Sequence, residues 1–306
     1  MPPLTLVTGA AGRLGGVGRA VVDLLLQRGL SVRALVRQRD ERADALRDAG
    51  AEVVVADLTR ADEVFNALDG VRRAYFGMSV SPPYLEATAA FAAAAKERGT
   101  LEVLVNMSQM TVSQMSLTEL TDSQQQRQHW LAEQVLNWSG LPVVHVRPTI
   151  FLQSFLLLSG ASIAQGDVIR LPFGTGKTSP VDAGDVAEVV ATILANPQPH
   201  IGKVYELTGP RSEDLNYMAE EFSAALGRTI RYVDVPLAPW RDALRAEHLT
   251  EYAIDHIVTM AKLHAANRYD RLTNDIEFIT GRPAISARDF AARNAQAIRR
   301  FLTIDT

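Results

Sequence analysis

Four glycines at three-residue intervals, Gly9, Gly12, Gly15 and Gly18, follow a short apolar run, Leu4–Val7, and lead into a second apolar stretch, Ala20–Leu26. Strand, glycine turn and helix in that order constrain this chain more than anything else in it. Gly9 suits a tight turn after the strand, and Gly12 lets the backbone approach a pyrophosphate. The N–H groups and dipole at the helix start would then hold the negative charge. A glycine series alone also describes a flexible loop. The flanking strand and helix turn it into an expected dinucleotide site.

The first half alternates short apolar runs with helical patterns. Strands are expected at Leu4–Val7, Ser31–Arg37, Glu52–Ala56, Ala74–Met78, Leu101–Asn106 and Val143–Arg147. Helices fall between them, at Ala20–Gln27, Arg42–Ala49, Ala61–Leu68, Ala87–Arg98 and Ser123–Trp138. Apolar strands separated by amphipathic helices imply a parallel sheet covered on both faces, and right-handed crossovers make it a doubly wound Rossmann sheet. The expected division is a nucleotide domain over 1–150 and a mixed segment over 151–306. That segment returns to the sheet in part and supplies a smaller, mostly helical substrate lobe. Phe173–Pro180 reads as loop, Val181–Ala195 as turn and helix, and Lys203–Thr208 as strand. Leu215–Leu226 reads as a helix closed by Gly227, Arg231–Val235 as a short strand, and the chain from Pro239 onward as mainly helical.

Composition narrows the functional classes. A net charge of −4 gives no general attraction to nucleic acid or to an anionic membrane. The absence of cysteine excludes disulfides, thiolate metal sites and a cysteine nucleophile. The most apolar stretch, Leu141–Leu158, is broken by His145, Arg147, Pro148 and Gln153 and cannot span a bilayer. With no targeting segment at the N-terminus, the cytoplasm is the expected location.

The charge after the second strand selects the dinucleotide. An acidic residue there bonds a ribose 2′-hydroxyl, whereas arginine accommodates a 2′-phosphate through its planar fork. Arg37 stands at that position, so NADP(H) is favoured, with NAD(H) as the alternative. Asp57-Leu58, after the third strand, is placed either to accept from the adenine amino group or to cap a turn. Met78 and Ser79 after the fourth strand, and Asn106, Met107 and Ser108 at the fifth, would line the ribose and nicotinamide. In the glycine loop the contacts are expected from Gly9, Ala11, Gly12, Arg13, Leu14 and Gly15.

These motifs, taken with His129…Glu133…Leu136…Ser139–Pro142, Arg147-Pro148, Val181…Asp185…Glu188, Lys203–Pro210 and Ala225–Pro236, occur in the order found in NmrA-like proteins. The chain resembles that family of atypical short-chain dehydrogenase/reductases over about residues 4–236, and more loosely to Thr280–Pro283. The resemblance implies a Rossmann fold and NAD(P) binding. It implies a place among quinone and dye reductases, isoflavone-type reductases, aromatic polyketide tailoring enzymes (some described as oxygenases) or dinucleotide-binding redox sensors without turnover. It also implies that Pro148 contacts the cofactor and that His129 stands near where short-chain dehydrogenases carry their catalytic lysine. Two departures stand out. Val17-Gly18-Arg19 looks like a three-residue insertion, which would add a turn to the helix or bulge the loop. The Tyr-x-x-x-Lys motif is missing, since the residues four positions after the seven tyrosines are Ser, Thr, Gly, Glu, Pro, His and Thr.

His129 is therefore the candidate catalytic group, bonding the nicotinamide ribose or donating a proton; the other reading is a histidine at a helix start. Hydride transfer to a quinone needs little acid help, so the missing tyrosine–lysine pair disfavours ordinary ketones more than quinoid acceptors. Met110, Phe151, Phe155, Trp240, Tyr252 and His256 either line an apolar substrate pocket or pack the lobe. His248, His256 and His264, eight residues apart, do not share a helical face and suit no metal. Gln124-Gln125-Gln126 reads as exposed helix surface, and Asp182 and Asp185 as caps and anchors. The expected activity is NAD(P)H-dependent reduction of a small quinoid or polycyclic aromatic substrate, without metal or flavin. No nucleic acid or membrane partner is expected, and a homodimer is compatible with the sequence.

Overall fold

The computed structural model describes residues 2–12, 16–247 and 249–300. Arg13, Leu14, Gly15 and His248 lie outside the described residues. Strands β1 (Leu4–Val7), β2 (Val32–Val36), β3 (Glu52–Val55), β4 (Val71–Phe76), β5 (Val103–Met107) and β6 (Val143–Pro148) alternate with helices α1 (Val17–Gln27), α2 (Glu41–Asp48), α3 (Ala61–Ala67), α4 (Tyr84–Arg98) and α5 (Gln124–Trp138). Past β6 come α6 (Leu152–Gly166), β7 (Val168–Leu171), α7 (Ala183–Ala195), β8 (Val204–Leu207), α8 (Leu215–Leu226) and β9 (Arg231–Asp234). The rest is helical: α9 (Leu237–Ala246), α10 (Glu251–Ala265), α11 (Asp275–Thr280), α12 (Ala287–Arg293) and α13 (Ala295–Arg300).

Seven strands form one sheet in the order β3-β2-β1-β4-β5-β6-β8, all parallel. This is the expected doubly wound sheet, extended at one edge by β8. One face packs against α1 and α7 through residues such as Val21, Leu25, Val186 and Val190. The other packs against α3, α4 and α5 through Val64, Phe91, Ala132 and Leu136. The lobe has its own core, built on Phe155, Phe173, Phe222 and Phe290. Its small second sheet pairs β7 with β9 in parallel. No helix among the described residues is long and apolar enough to cross a membrane.

Two elements differ from the sequence expectation for identifiable reasons. β4 starts at Val71, ahead of the expected Ala74. Two arginines disguise it: Arg72 and Arg73 lie in the strand with both guanidiniums bonded to Glu102. The stretch Leu141–Leu158 is divided by Pro148, which ends β6, and continues as α6. That helix buries Leu152, Phe155 and Ile163 in the lobe core while Leu157 stays exposed, so its period is blurred. It stops at Asp167, whose left-handed φ of 55° an aspartate tolerates better than most residues.

The C-terminal segment is strapped to the start of α7. Asp182 caps that helix on the Gly184 N–H and receives Arg293 at 2.7 Å. Asp185 receives Arg282 at 2.8 Å and the Ile285 N–H at 2.7 Å. Both aspartates therefore anchor the lobe to the sheet.

Candidate active site

The crevice opens at the carboxyl ends of β1, β4, β5 and β6. At its centre the β1 and β4 ends touch backbone to backbone. Thr8 Oγ1 accepts from the Gly77 N–H and donates to the Gly77 carbonyl, both at 2.9 Å. Gly9 turns there with φ of +69°, and a Cβ on it would lie 2.3 Å from Gly77 O. The tight turn expected of Gly9 is thus enforced by conformation and by contact.

Val17, Gly18 and Arg19 are the first turn of α1, one of the two outcomes expected of them. A Cβ on Gly18 would lie 2.7 Å from Gly9 O and 2.8 Å from Gly9 C. Gly18 is therefore the glycine that lets the helix close on the strand. Beside this cradle is a cleft of about 250 Å³ lined by Ala10, Ala11, Gly12, Arg19 and Arg42. Arg42 donates to the Ala11 carbonyl at 2.6 Å and also pairs with Asp40. Asp40 caps α2 on the Arg42 and Ala43 amides, and the Arg42 side chain holds its carboxyl down at about 2. The one acidic side chain between β2 and α2 is thereby already committed. Arg37 is exposed and close enough to Asp57 to favour that carboxylate's ionised form.

Asp57 performs the turn role. Its Oδ1 accepts from the Thr59 N–H at 2.9 Å and hydroxyl at 2.8 Å, which holds its carboxyl below the usual range. Leu58 and Met78 pack on the α3–α4 side of the sheet, and Ser79 is exposed at the crevice mouth. Ser108 is buried and donates its N–H to Val146 O at 2.8 Å, while Pro148 is buried at the end of β6. Asn106 corrects an expectation. It sits in register with His145, and its Nδ2 meets His145 Nδ1 at 3.0 Å inside the molecule. Strand alternation puts Asn106 and Met107 on opposite faces of the sheet, and Met107 is the residue that ends β5.

The α5 face turned to the crevice carries the polar groups. Gln126, His129 and Glu133 lie at i, i+3 and i+7, one above another. Glu133 is 1% exposed and takes both arms of Arg147, at 2.9 and 2.6 Å. Burial opposes its charge, but the arginine fork prevails and keeps the carboxyl below its ordinary value. His129 Nδ1 lies 3.3 Å from Tyr84 Oη, with the two rings 5.0 Å apart. Burial drives the His129 imidazole down to about 3, with the nearby His256 adding to the effect. At neutral pH it is uncharged, so it has no imidazolium proton to give. Burial likewise raises the Tyr84 phenol, which stays protonated.

Helix α10 roofs this face. Tyr252 donates to Gln128 Oε1 at 2.6 Å, and His256 Nδ1 lies 3.1 Å from Ser123 Oγ. Those two residues, expected to line a pocket or pack the lobe, form the clasp between α10 and the start of α5. Trp240 packs with Leu158 and Ile254 between α9, α6 and α10. Phe155 is buried edge-on against Phe173 in the lobe core, 6.2 Å between centroids, and does not line the crevice. Met110 is buried in a short 3-10 turn after β5, and Phe151 packs beside Val181. His264 stacks between Phe173 and Tyr269, at 4.1 and 3.9 Å. Sequence reasoning misses Thr8, Arg42, Tyr84 and Gln126. Gln126 is the clearest correction, because it is fully buried where a glutamine run suggests surface.

A parallel sheet in this order, with a glycine cradle at its first crossover and a lobe over the carboxyl ends, defines a Rossmann-type dinucleotide-binding α/β protein. Within that class, residues 3–285 match the model of the NmrA-like family, and the chain belongs to that family. It is 29% identical over 288 residues to the NAD(P)H azoreductase of Xenophilus azovorans, covering 94% of this chain and 97% of that one. It is 32% identical over 299 residues to the (4-alkanoyl-5-oxo-2,5-dihydrofuran-3-yl)methyl phosphate reductase of Streptomyces griseus, covering 96% and 99%. In fold it is similar to the NADPH complex of the Escherichia coli quinone oxidoreductase QOR2, with a TM-score of 0.83 at 21% identity over 95% and 99% of the two chains.

Proposed function

We propose that this protein is an NAD(P)H-dependent reductase of a small conjugated acceptor, a quinone or an azo or related aromatic compound, working in the cytoplasm. The observation that carries the choice of acceptor is the chemistry of the crevice. His129 is held neutral, Tyr84 is held protonated, and Tyr-x-x-x-Lys is missing. A site so poor in acid–base groups suits an acceptor that spreads the arriving charge over its own π-system. The similarity to reductases along nearly the whole chain supports the same reading.

The residues fit a dinucleotide. Gly9 and Gly18 form a cradle that a Cβ would fill, and the Gly12–Arg42 cleft adjoins it. The bound cofactor would supply a hydride. The chain's own residues bind and orient: Thr8 fixes the β4 turn, Arg42 fixes the Ala11 carbonyl, and α10 excludes water from the His129 face.

NADPH oxidation followed with menadione, an azo dye and cyclohexanone tests the reading. Turnover is expected with the first two, and cyclohexanone at least about 100-fold slower. NADPH binding without turnover of any acceptor would mark a sensor and sink the proposal.

NADP(H) preference has its own test. Arg37→Ala should weaken NADPH about tenfold more than NADH, the loss of a charge-assisted contact to the 2′-phosphate. Arg42→Ala should weaken both cofactors, because its guanidinium also holds the loop carbonyl of Ala11. Equal losses of both cofactors in Arg37→Ala would remove that residue from the 2′-phosphate.

A further inference from the structure

Gln126 is 0% exposed, and neither its Oε1 nor its Nε2 has a hydrogen-bond partner. A buried amide in that state costs the fold stability, so a chain that retains one calls for an explanation. The same condition extends along the connection from β5 to α5. Gln109 Nε2, Thr111 Oγ1 and Thr121 Oγ1 are also buried without partners. That connection follows the carboxyl end of β5, where the crevice opens.

The position of the amide is fixed by its helix. α5 follows β5 and runs back along the sheet, so its first turn lies at the crevice end. Gln126 stands one turn before His129 on the same face, beyond the Tyr84–His129 contact. Its own N–H donates to Ser123 Oγ, the hydroxyl that also meets His256 on the α10 cover. The side chain is thus buried in the first turn of α5, at the crevice end of that helix and next to the Ser123–His256 contact with α10. The other polar groups on that face are engaged, His129 with Tyr84 and Glu133 with Arg147, and around the helix Gln128 is held by Tyr252 and Pro82.

We propose that Gln126 is a substrate-binding residue whose amide N–H donates to the reducible carbonyl oxygen of a quinone. This rests on the reductase reading above. Reduction of a quinone to the hydroquinone takes the hydride of NAD(P)H and one proton from water. As the C=O bond opens, negative charge grows on the oxygen, and a neutral amide donor within reach of it would be stabilising without needing to titrate. The neutral His129 beside it leaves that work to an uncharged donor.

Gln126→Leu, with menadione as the probe, separates the alternatives. Turnover with menadione is expected to fall roughly 10–100-fold, with the KM for NADPH unchanged within about twofold. The Kd of menadione for the enzyme–NADP+ complex, measured by calorimetry, should rise. Melting should move the other way, up by about 2–4 °C, because an unpaired amide gives way to an apolar side chain of similar size. Gln126→Asn keeps the amide one methylene back and should fall between the two; it stands in should the leucine variant fail to fold. A lowered melting temperature with unchanged turnover would make Gln126 structural and overturn the proposal. A raised KM for NADPH as the main effect would assign the amide to the nicotinamide carboxamide and overturn it too. If the unaltered protein oxidises no NADPH with menadione, the reductase reading fails first and this role falls with it.

Discussion

Gly18→Ala is expected to cost the protein its dinucleotide affinity by more than about 100-fold. The new Cβ would sit 2.7 Å from Gly9 O, 2.8 Å from Gly9 C and 3.0 Å from Ala10 N. All three are backbone atoms of the turn that shapes the cradle, so no side chain can swing aside. Relief requires α1 to lift off β1, which moves the helix start away from the pyrophosphate position. Gly16→Ala is the control. Gly16 has a left-handed φ of 66°, but a Cβ there meets nothing within 4 Å. It should lower stability by about 1–2 kcal/mol, the left-handed cost for a residue with a Cβ, and leave binding close to normal. Fluorescence titration with NADPH and thermal melts of both variants provide the comparison. Near-normal binding by Gly18→Ala would show that the helix does not need to close on Gly9.

The same glycine shows how far the sequence could be read. Spacing alone places Gly18 in a series and marks Val17-Gly18-Arg19 as an insertion. It cannot show which glycine meets the strand, because that depends on where α1 begins. The sheet was legible because Val, Leu and Ala runs between amphipathic helices leave few other folds. The exceptions were local: Arg72 and Arg73 hide the start of β4 because Glu102 neutralises them across the adjoining strand. In the site, legibility tracks sequence distance. Arg37 is readable because it directly follows β2. Arg42 reaches Ala11, 31 positions away, only through the placement of α2. Gln126 looks like surface because its burial comes from a loop and from α10, which lies more than a hundred residues further along. Asn106 reads as crevice-lining because it ends a strand. One step of strand alternation sends it to His145 instead.

That dependence on distant partners makes the protein sensitive to acid. His129 and His264 are both buried, and burial takes each imidazole down to about 3. His264 is held neutral between Phe173 and Tyr269, with Nδ1 at 2.8 Å from the Met260 carbonyl and Nε2 at 3.2 Å from the Thr178 hydroxyl. Above pH about 6.5 the unfolded chain also carries neutral histidines, so the two states bind the same protons and stability is at its plateau. Below that, the unfolded chain takes up protons that the folded one refuses. Stability therefore falls as pH drops from about 6.5 toward 3, by on the order of 1.4 kcal/mol per histidine per pH unit. At pH 5 the two together would remove about 4 kcal/mol, a large part of the 5–15 kcal/mol that a folded domain usually has. Glu133 pulls in the same direction further down, since its lowered carboxyl contributes stability that is lost as it is protonated. Asp185 works against them, because burial raises its carboxyl and protonation relieves a buried charge. Thermal melts between pH 5 and 8 should show a steep fall below pH 6.5. In His264→Phe, which keeps the ring stack and removes one titrating group, the fall should be shallower by about 1.4 kcal/mol per pH unit. A wild-type melting temperature that is level from pH 8 to 5 would mean that these imidazoles find protons in the folded state, and the neutral His129 on which the choice of acceptor rests would go with it.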